Sequence, residues 1–194
     1  MKKNILIIGV GGHLNSVIDI LQEAKKFKII GYLDNDKSKI GKYFYNIKVL
    51  GSDKKLDEIK KSKTNNIFLS VGLIKNFKER MKLIKKLKIS SFEFPNFYSK
   101  DSLISKRIII GKGNIIMKHV LINNNVKLGD FNIINNKALI EHDVTIGSNV
   151  HISTGAVVNG NVSIGNNVFI GSGSIITNNR VIKNNTFIKA GSVI

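Results

Sequence analysis

The stretch Leu139–Ile176, LIEHDVTIGSNVHISTGAVVNGNVSIGNNVFIGSGSII, repeats its pattern every six residues. An Ile, Leu or Val recurs at each sixth position, and a small or β-branched residue usually stands two positions earlier. The period runs without a miss over sixteen positions from Ile104 to Ile194. Neither an α-helix nor an ordinary strand has a period of six. The repeat therefore decides the fold of the second half of the chain.

A period of six predicts short strands joined by tight turns, with one large aliphatic side chain per strand pointing inward. Three such strands close a triangular coil of eighteen residues, and successive coils stack at the strand spacing of roughly 4.8 Å. The many Asn and Gly residues suit turns that need a positive φ. We therefore predict an all-β domain over residues 98–194, a parallel β-helix of about five coils. One internal ladder should consist of Ile110, Leu128, Ile146, Ile164 and Ile182.

The first half of the chain has a different pattern, in which strands and helices alternate. Such alternation predicts an α/β domain with a parallel sheet and crossover helices, here a Rossmann-like domain over residues 1–97. A turn around Pro95 and Asn96 resembles a hinge between the two domains. The predicted strands cover residues 4–8, 28–34 and 67–71, and the predicted helices cover residues 14–26, 77–87 and a segment capped by Ser52 or Asp53 that ends near residue 61.

Composition excludes several classes of protein. The chain has no cysteine, which rules out thiol catalysis, a disulfide framework and thiolate metal sites. No apolar run approaches the length of a membrane-spanning helix, so membrane insertion is not expected. The apolar segment near the N-terminus stops at Gly9 and no cleavage site follows, so we expect no signal peptide and a cytoplasmic location.

The formal net charge of +18 raises the question of nucleic-acid binding. Lysine outnumbers arginine 28 to 3, whereas proteins that contact phosphates and bases favour the arginine fork. We therefore predict no nucleic-acid partner and an anionic small substrate instead. The excess is uneven, with a net +13 in residues 1–100 and +5 in residues 101–194.

A glycine turn, Gly9–His13, connects the first predicted strand to the first predicted helix. Free amides at the start of a helix, together with its dipole, attract phosphate groups. The dinucleotide fingerprint needs a third glycine where this chain has Leu14, so a seat for a nucleotide diphosphate is favoured over NAD. Asp34 and Asp36 follow the second strand and could contact ribose or base, although an acid-rich turn remains the alternative.

His142 stands between two acids, in the sequence Glu141-His142-Asp143. A neighbouring carboxylate fixes the tautomer of an imidazole and makes it more basic, as a general base requires. A solvated surface histidine is the alternative. Gly160 lies one coil further along, and its missing side chain should leave room for a ligand.

The other histidines bear on assembly and on metal binding. His151 follows His142 by nine residues, half a coil, so the two should lie on different faces of the β-helix. They could meet only across an interface between copies, which a threefold assembly would provide. His119, His142 and His151 lack a compact ligand spacing, so no metal site is expected.

Taken together, the motifs resemble those of bacterial sugar O- and N-acetyltransferases, which include sialic acid O-acetyltransferases and N-acetyltransferases of nucleotide-linked 4-amino sugars. The resemblance spans nearly the whole chain. It implies a left-handed β-helix, acetyl-CoA as co-substrate, and a homotrimer with active sites between subunits. It is carried by IIGVGGH (7–13), IGYLDND (30–36), VLGS (49–52) and, most specifically, the stretch quoted first.

The resemblance also assigns roles to residues. It implies that His142 is the general base, that Asp143 tunes it, and that acetyl-CoA lies near Asn135, His151, Gly160 and Gly171. Gly11, Gly12 and His13 would hold the phosphates of the nucleotide sugar, and Asp34 and Asp36 would contact its nucleoside. The family commonly has a small residue and then a basic one after Gly-Gly-His, whereas this chain continues Leu14-Asn15-Ser16. That departure predicts the loss of one basic phosphate contact.

The leading hypothesis is an acetyltransferase that acts on the amino group of a nucleotide-activated sugar, with UDP as the expected nucleotide. One alternative is O-acetylation of sialic acid or a related sugar hydroxyl. A second is a sugar-nucleotide-binding protein without catalytic activity. A third, an NAD-dependent oxidoreductase, is disfavoured by Leu14.

Overall fold

A computed structural model describes residues 1–62, 64–73 and 77–194. The chain divides into two compact units, of which the first contains Met1–Gly72 and Lys78–Pro95. The second contains Leu73, Phe77 and Asn96–Ile194, so the boundary lies between Pro95 and Asn96. Within the described part of the chain, every helix is too short or too polar to cross a membrane.

The first unit is a five-stranded sheet with helices, in the strand order β3-β4-β2-β1-β5. All neighbouring strands run parallel except β3, which pairs antiparallel with β4. The sheet is therefore mixed, and the expectation of a purely parallel sheet fails at this one hairpin, whose turn residues Tyr45 and Asn46 have φ values of 50° and 62°. The elements are β1 Lys3–Ile8, α1 Gly12–Glu23, β2 Phe27–Leu33, β3 Tyr43–Phe44, β4 Ile47–Gly51, α2 Leu56–Ser62, β5 Ile67–Leu69 and α3 Phe77–Ile89, with 3₁₀ turns at Lys37–Lys39 and Asp53–Lys55.

Strand β1 lies between β2 and β5 in this sheet, and its apolar residues Ile5–Ile8 are buried. Helix α1 buries Leu14, Val17 and Leu21, whose spacing matches one face of a helix. Between them, Gly9 adopts a φ of 99°, and a Cβ there would lie 2.7 Å from the Cγ2 atom of Val71. Only glycine fits this position, and it turns the chain so that α1 begins at the end of β1.

The second unit is a parallel β-helix built from strands of two residues each. They are β6 Phe97–Tyr98, β7 Leu103–Ile104, β8 Ile109–Ile110, β9 Ile115–Ile116, β10 Leu121–Ile122, β11 Lys127–Leu128, β12 Ile133–Ile134, β13 Leu139–Ile140, β14 Thr145–Ile146, β15 His151–Ile152, β16 Val157–Val158, β17 Ser163–Ile164, β18 Phe169–Ile170, β19 Ile175–Ile176, β20 Val181–Ile182 and β21 Phe187–Ile188. We call the sheet β7-β10-β13-β16-β19 face 1, the sheet β8-β11-β14-β17-β20 face 2, and the sheet from β6 to β21 face 3.

The register between coils is eighteen residues throughout, as the repeat predicts. On face 2, Leu128 pairs with Ile110 and Ile146, and Ile164 pairs with Ile146 and Ile182. The predicted internal ladder is therefore confirmed, and its members from Leu128 to Ile182 are buried in one apolar core.

Asparagines at the corners support the same register. Asn149, Asn167 and Asn185 each have φ between 57° and 60°, a conformation that asparagine tolerates better than most residues. Asn149 Nδ2 donates to Asn167 Oδ1 at 2.9 Å, and Asn167 Nδ2 donates to Asn185 Oδ1 at 3.0 Å. The high asparagine content thus provides side-chain ladders that hold one coil on the next.

Glycines that follow the inward aliphatic residue on face 2 bring successive coils into backbone contact. A Cβ on Gly147 would lie 2.8 Å from the carbonyl carbon of Gly165, and a Cβ on Gly129 would lie 2.8 Å from that of Gly147. At these distances an added Cβ would force the backbone of the next coil to move. The corner between faces 2 and 3 therefore accepts no side chain at Gly129 or Gly147.

We expect Gly147→Ala to lower the free energy of unfolding by about 1–3 kcal/mol, because an overpacked site must shift its neighbours. Thr145→Ala alters an exposed side chain on the same face and should lower the free energy of unfolding far less. Guanidinium chloride unfolding of both variants measures the difference. Equal midpoints for the two variants would contradict the close packing at this corner.

Candidate active site

His142 lies at the corner between faces 1 and 2, in the turn that leads from β13 to β14. Its Nδ1 atom donates a hydrogen bond to Asp143 Oδ2 at 2.8 Å, and the two side chains are 61% and 50% exposed. Because Nδ1 carries the proton in this bond, Nε2 retains its lone pair. The imidazole is therefore held in the tautomer that can accept a proton from a ligand.

Asp143 is in turn fixed from the coil below. Asn125 Nδ2 donates to Asp143 Oδ1 at 3.2 Å, eighteen residues away. The hydrogen bonds from His142 and from Asn125 lower the pKa of Asp143, the bond from His142 being the larger cause. The carboxyl group therefore stays ionised at neutral pH and accepts the hydrogen bond from His142. Asn125 was not among the predicted site residues, although its eighteen-residue spacing from Asp143 could have identified it.

Gly160 lies directly against the imidazole. A Cβ at this position would be 2.8 Å from His142 Cε1 and 2.9 Å from His142 Nε2. The space left by the missing side chain is thus occupied by the imidazole itself, rather than left open for a ligand as expected. The second flanking acid, Glu141, does not hold the ring, because its carboxylate accepts a hydrogen bond from Asn123 Nδ2 at 2.7 Å.

His151 lies on β15 of face 3, on a different face from His142 as predicted. It is only 6% exposed, its Nδ1 donates to the carbonyl oxygen of Leu73 at 2.7 Å, and its Nε2 accepts from Asn135 Nδ2 at 3.2 Å. Phe169 packs its ring edge-on against the imidazole at 5.2 Å. Both ring nitrogens are therefore occupied within one chain, and a role of His151 and Asn135 in cofactor binding stays a prediction.

Gly171 is enclosed by the next coil. A Cβ there would lie 2.3 Å from the backbone nitrogen of Ala190, and its own amide donates to the carbonyl of Ile188 at 3.0 Å. This geometry explains why the position is glycine without any ligand. Its predicted contact with acetyl-CoA is untested.

In the first unit, the start of α1 faces open space. Gly11 is the N-cap residue of α1, so no side chain caps the first amides of the helix. A Cβ on Gly11 or Gly12 would meet nothing within 4 Å. Both glycines are exposed, and His13 follows them half-buried in the first turn. Amides of a first helical turn point outward without helical partners, so this end of α1 is suited to an anion.

Asp34 fastens the glycine turn to the end of β2. Its Oδ2 accepts from Val10 N at 2.7 Å and its Oδ1 accepts from Asp36 N at 2.9 Å, with Lys39 Nζ 3.4 Å away. Asp36 is the more accessible of the two acids, 46% exposed against 14% for Asp34. Hydrogen bonds from the side chain and amide of Ser38 are the main causes that lower the pKa of Asp36. The Asp34 carboxylate thus holds the glycine turn in place, whereas the Asp36 carboxylate is accessible to solvent.

No group of three His, Cys, Asp or Glu side chains in residues 1–62, 64–73 and 77–194 is arranged to hold a metal ion.

We expect Asn125→Ala to raise the pKa of Asp143 toward its ordinary value, because the variant loses one of the hydrogen bonds that stabilise the carboxylate. Carbon-13 NMR titration of the Asp143 carboxyl measures this shift. Asn161→Ala is the matched control, since Asn161 has a similar φ of 58° and bonds to Asn179 instead. An unchanged Asp143 pKa in Asn125→Ala would contradict the assigned hydrogen bond.

Comparison with known proteins links each unit to a family. Residues 4–87 match the PglD N-terminal domain, and residues 161–194 match the bacterial transferase hexapeptide family with six repeats. No curated protein sequence matches the chain.

Solved structures resemble the chain over nearly its full length. A mutant of perosamine N-acetyltransferase from Caulobacter crescentus, in complex with CoA and GDP-perosamine, is 26% identical with a TM-score of 0.90, covering 98% of this chain and 88% of that one. The acetyltransferase domain of PglB from Neisseria gonorrhoeae with acetyl coenzyme A is also 26% identical, with a TM-score of 0.89 and coverage of 100% and 91%. WeeI from Acinetobacter baumannii, 22% identical with a TM-score of 0.74, covers 99% of this chain and 96% of its own and shares the fold. The predicted order of a Rossmann-like domain and a left-handed parallel β-helix is thereby confirmed.

Proposed function

We propose that this chain, which belongs to the hexapeptide-repeat family of bacterial sugar acetyltransferases, transfers the acetyl group of acetyl-CoA to the amino group of a nucleotide-activated amino sugar. The observation that carries the proposal is the His142–Asp143 pair, in which Nδ1 bonds to the carboxylate and Nε2 lies beside Gly160. Structures with CoA and GDP-perosamine, or with acetyl-CoA, exist for two proteins that are 26% identical to the chain. These ligands support both substrate classes.

In the proposed reaction, the neutral amine of the sugar attacks the carbonyl carbon of the thioester, and His142 Nε2 takes the proton from the nitrogen. The tetrahedral intermediate then expels the CoA thiolate, which receives that proton from the imidazolium. Asp143 stabilises the imidazolium through the 2.8 Å bond to Nδ1. General base catalysis of this kind contributes roughly 10²–10⁴ in rate.

We place the thioester near Gly160, because this glycine adjoins the imidazole and a backbone amide beside the base can stabilise a developing oxyanion. His151 and Asn135 would act indirectly, since their mutual hydrogen bond keeps the imidazole buried on face 3. Gly171 allows the close stacking of its coil on the next one, and its contact with acetyl-CoA stays a prediction.

In the first unit, the exposed start of α1 at Gly11 and Gly12 would bind phosphate, with His13 in its first turn. Asp36 would contact the nucleoside, and Asp34 would hold the glycine turn in position. The similar structure with GDP-perosamine favours testing GDP-linked sugars beside the UDP-linked sugars expected from the sequence.

We expect His142→Asn to lower kcat a hundredfold or more while the dissociation constant for acetyl-CoA stays nearly unchanged, because only the proton acceptor is removed. Asparagine fits this corner, since Asn124 and Asn178 occupy the same turn position one coil below and two coils above. Steady-state kinetics with GDP- and UDP-linked amino sugars, together with calorimetry for acetyl-CoA, measure both effects.

His119→Asn is the matched control for this variant, because His119 is exposed at a different corner and should tolerate the change with normal turnover. Near wild-type kcat in His142→Asn would refute the assignment of the base. A wild-type chain that binds nucleotide sugars but neither binds acetyl-CoA nor acetylates would instead indicate a binding protein. Preference for a hydroxyl analogue over the amine would indicate O-acetylation.

We also propose that the chain forms a homotrimer through face 1. The outward residues of this face form an apolar ladder of partly or fully exposed side chains, namely Leu103, Leu121, Leu139, Val157 and Ile175. The corresponding central positions of face 2 are polar, Lys127, Thr145 and Ser163. A contiguous apolar strip on one face indicates a surface that is buried in an assembly.

We expect Leu139→Lys to dissociate the oligomer, because it places a charge at the centre of the apolar ladder. Thr145→Lys, the same new charge on the neighbouring face, should leave the oligomer intact. Analytical ultracentrifugation measures the mass of each variant. A trimeric Leu139→Lys, or a monomeric wild-type chain, would show that face 1 is not the interface.

A further inference from the structure

The segment Ser70–Gly72 follows strand β5 and lies against the glycine turn of the first unit. Strands β1 and β5 are parallel neighbours, so their carboxyl ends meet at one edge of the sheet. Ser70 N donates to the carbonyl of Ile8 at 2.8 Å, and the buried Ser70 Oγ donates to the carbonyl of Gly9 at 2.7 Å. Ser70 therefore holds the glycine turn from the β5 side, as Asp34 holds it from the β2 side.

The next two residues of the segment continue this contact. A Cβ added to Gly9 would lie 2.7 Å from Val71 Cγ2 and 3.2 Å from Val71 N. A Cβ added to Gly72 would lie 3.5 Å from the Cβ atom of His13, in the first turn of α1. The position of the segment therefore constrains both the glycine turn and the start of α1.

Arg80 reaches this segment from helix α3. Its side chain is only 3% exposed, and its Nε atom donates to the carbonyl oxygen of Val71 at 2.8 Å. Burial lowers the pKa of the guanidinium to about 9, so the group is still charged at neutral pH. Burying a charged group costs free energy, and an apolar side chain of similar volume would fill such a place at a lower cost. Packing alone therefore does not account for an arginine at this position.

Resting on the proposed function, we propose that Arg80 and Ser70 are positioning residues for the phosphate seat, which is the start of α1 at Gly11 and Gly12. Ser70 bonds to the glycine turn directly. Arg80 acts through Val71, whose carbonyl it binds and whose nitrogen faces Gly9. Together they fix the direction of the seat amides without contacting the ligand. Donors that are held in place before binding lose less entropy when the ligand arrives.

The sequence of α1 makes such positioning important. The residues after Gly-Gly-His are Leu14-Asn15-Ser16, none of which carries a positive charge. A phosphate seat at this helix start therefore relies on backbone amides and the helix dipole. A backbone amide cannot swing toward a ligand as a lysine side chain can. Its contribution to binding thus depends on how the turn is held.

The test measures the dissociation constants of GDP, UDP and acetyl-CoA by calorimetry for Ser70→Ala, Arg80→Met and the double variant. We expect each single variant to weaken nucleotide binding about tenfold, while the constant for acetyl-CoA changes less than about twofold. Because both residues hold one segment, the double variant should bind nucleotide less than about thirtyfold more weakly than the wild type. Independent effects would multiply to about a hundredfold.

Controls separate positioning from stability. Ile84→Val shortens a buried apolar side chain of the same helix, so it should lower the unfolding midpoint without changing nucleotide binding. Lys82→Met removes an exposed cation of α3 and should change neither. If Arg80→Met does not fold, Arg80→Lys replaces it, because lysine keeps the charge but lacks the planar Nε donor. This variant should also bind nucleotide more weakly than the wild type.

Each outcome decides one claim. Unchanged nucleotide binding in Ser70→Ala or in a folded Arg80 variant would overturn the inference, as would a double variant whose effects multiply fully. Equal weakening in Ile84→Val would attribute the effect to stability and overturn it as well. A wild-type chain that binds GDP or UDP but does not acetylate would refute the proposed function alone, since the dissociation constants still test both residues. A wild-type chain that binds neither nucleotide would overturn the inference.

Discussion

Hydrogen bonds between successive coils set the geometry on which the candidate site at His142 and Asp143 depends. From β6 to β19, the amide of the first strand residue donates to a carbonyl of the next coil, as Thr145 N does to the Val162 carbonyl at 2.9 Å. This register cannot slip by one residue, because the inward aliphatic ladders would then face solvent. Because the register is fixed, Asn125 lies beneath Asp143 and Gly160 lies above His142. The geometry of the candidate site is thus a direct product of the stacking of the coils.

The β-helix could be predicted almost completely from the sequence, because its hexapeptide period has a single structural solution. The register, the Ile110–Ile182 ladder and the separation of His142 and His151 onto different faces all follow from counting residues. The first unit was predicted less completely. The hairpin between β3 and β4 was missed, since its short strands carry no periodic pattern and its turn depends on the positive φ values of Tyr45 and Asn46.

The side-chain contacts show which predicted site residues are bonded within the protein, and the sequence alone does not show this. Counting places Gly160 next to His142, but only the rotamer of the imidazole determines that the ring fills the space over the glycine. His151 and Asn135 bond to each other and to a backbone carbonyl in the Leu73 segment, a long-range contact without a local signal. Asp34 similarly caps the glycine turn from a separate strand. The excess of lysine gave little guidance to the candidate site.

The corner between faces 1 and 2 presents one column of backbone positions that hold different side chains in successive coils, Lys106, Asn124, His142, Gly160 and Asn178. From Asn124 to Asn178 the backbone of the turn is nearly the same, because the residue that follows has a φ between 58° and 63° at each level. The scaffold therefore does not dictate which of these coils carries the proposed base. Displacing a histidine–aspartate pair along the column would move the reacting centre in steps of roughly 4.8 Å, the rise of one coil. With His142 as the proposed base, the choice of coil would set the position of the reacting centre along the β-helix without a change of fold.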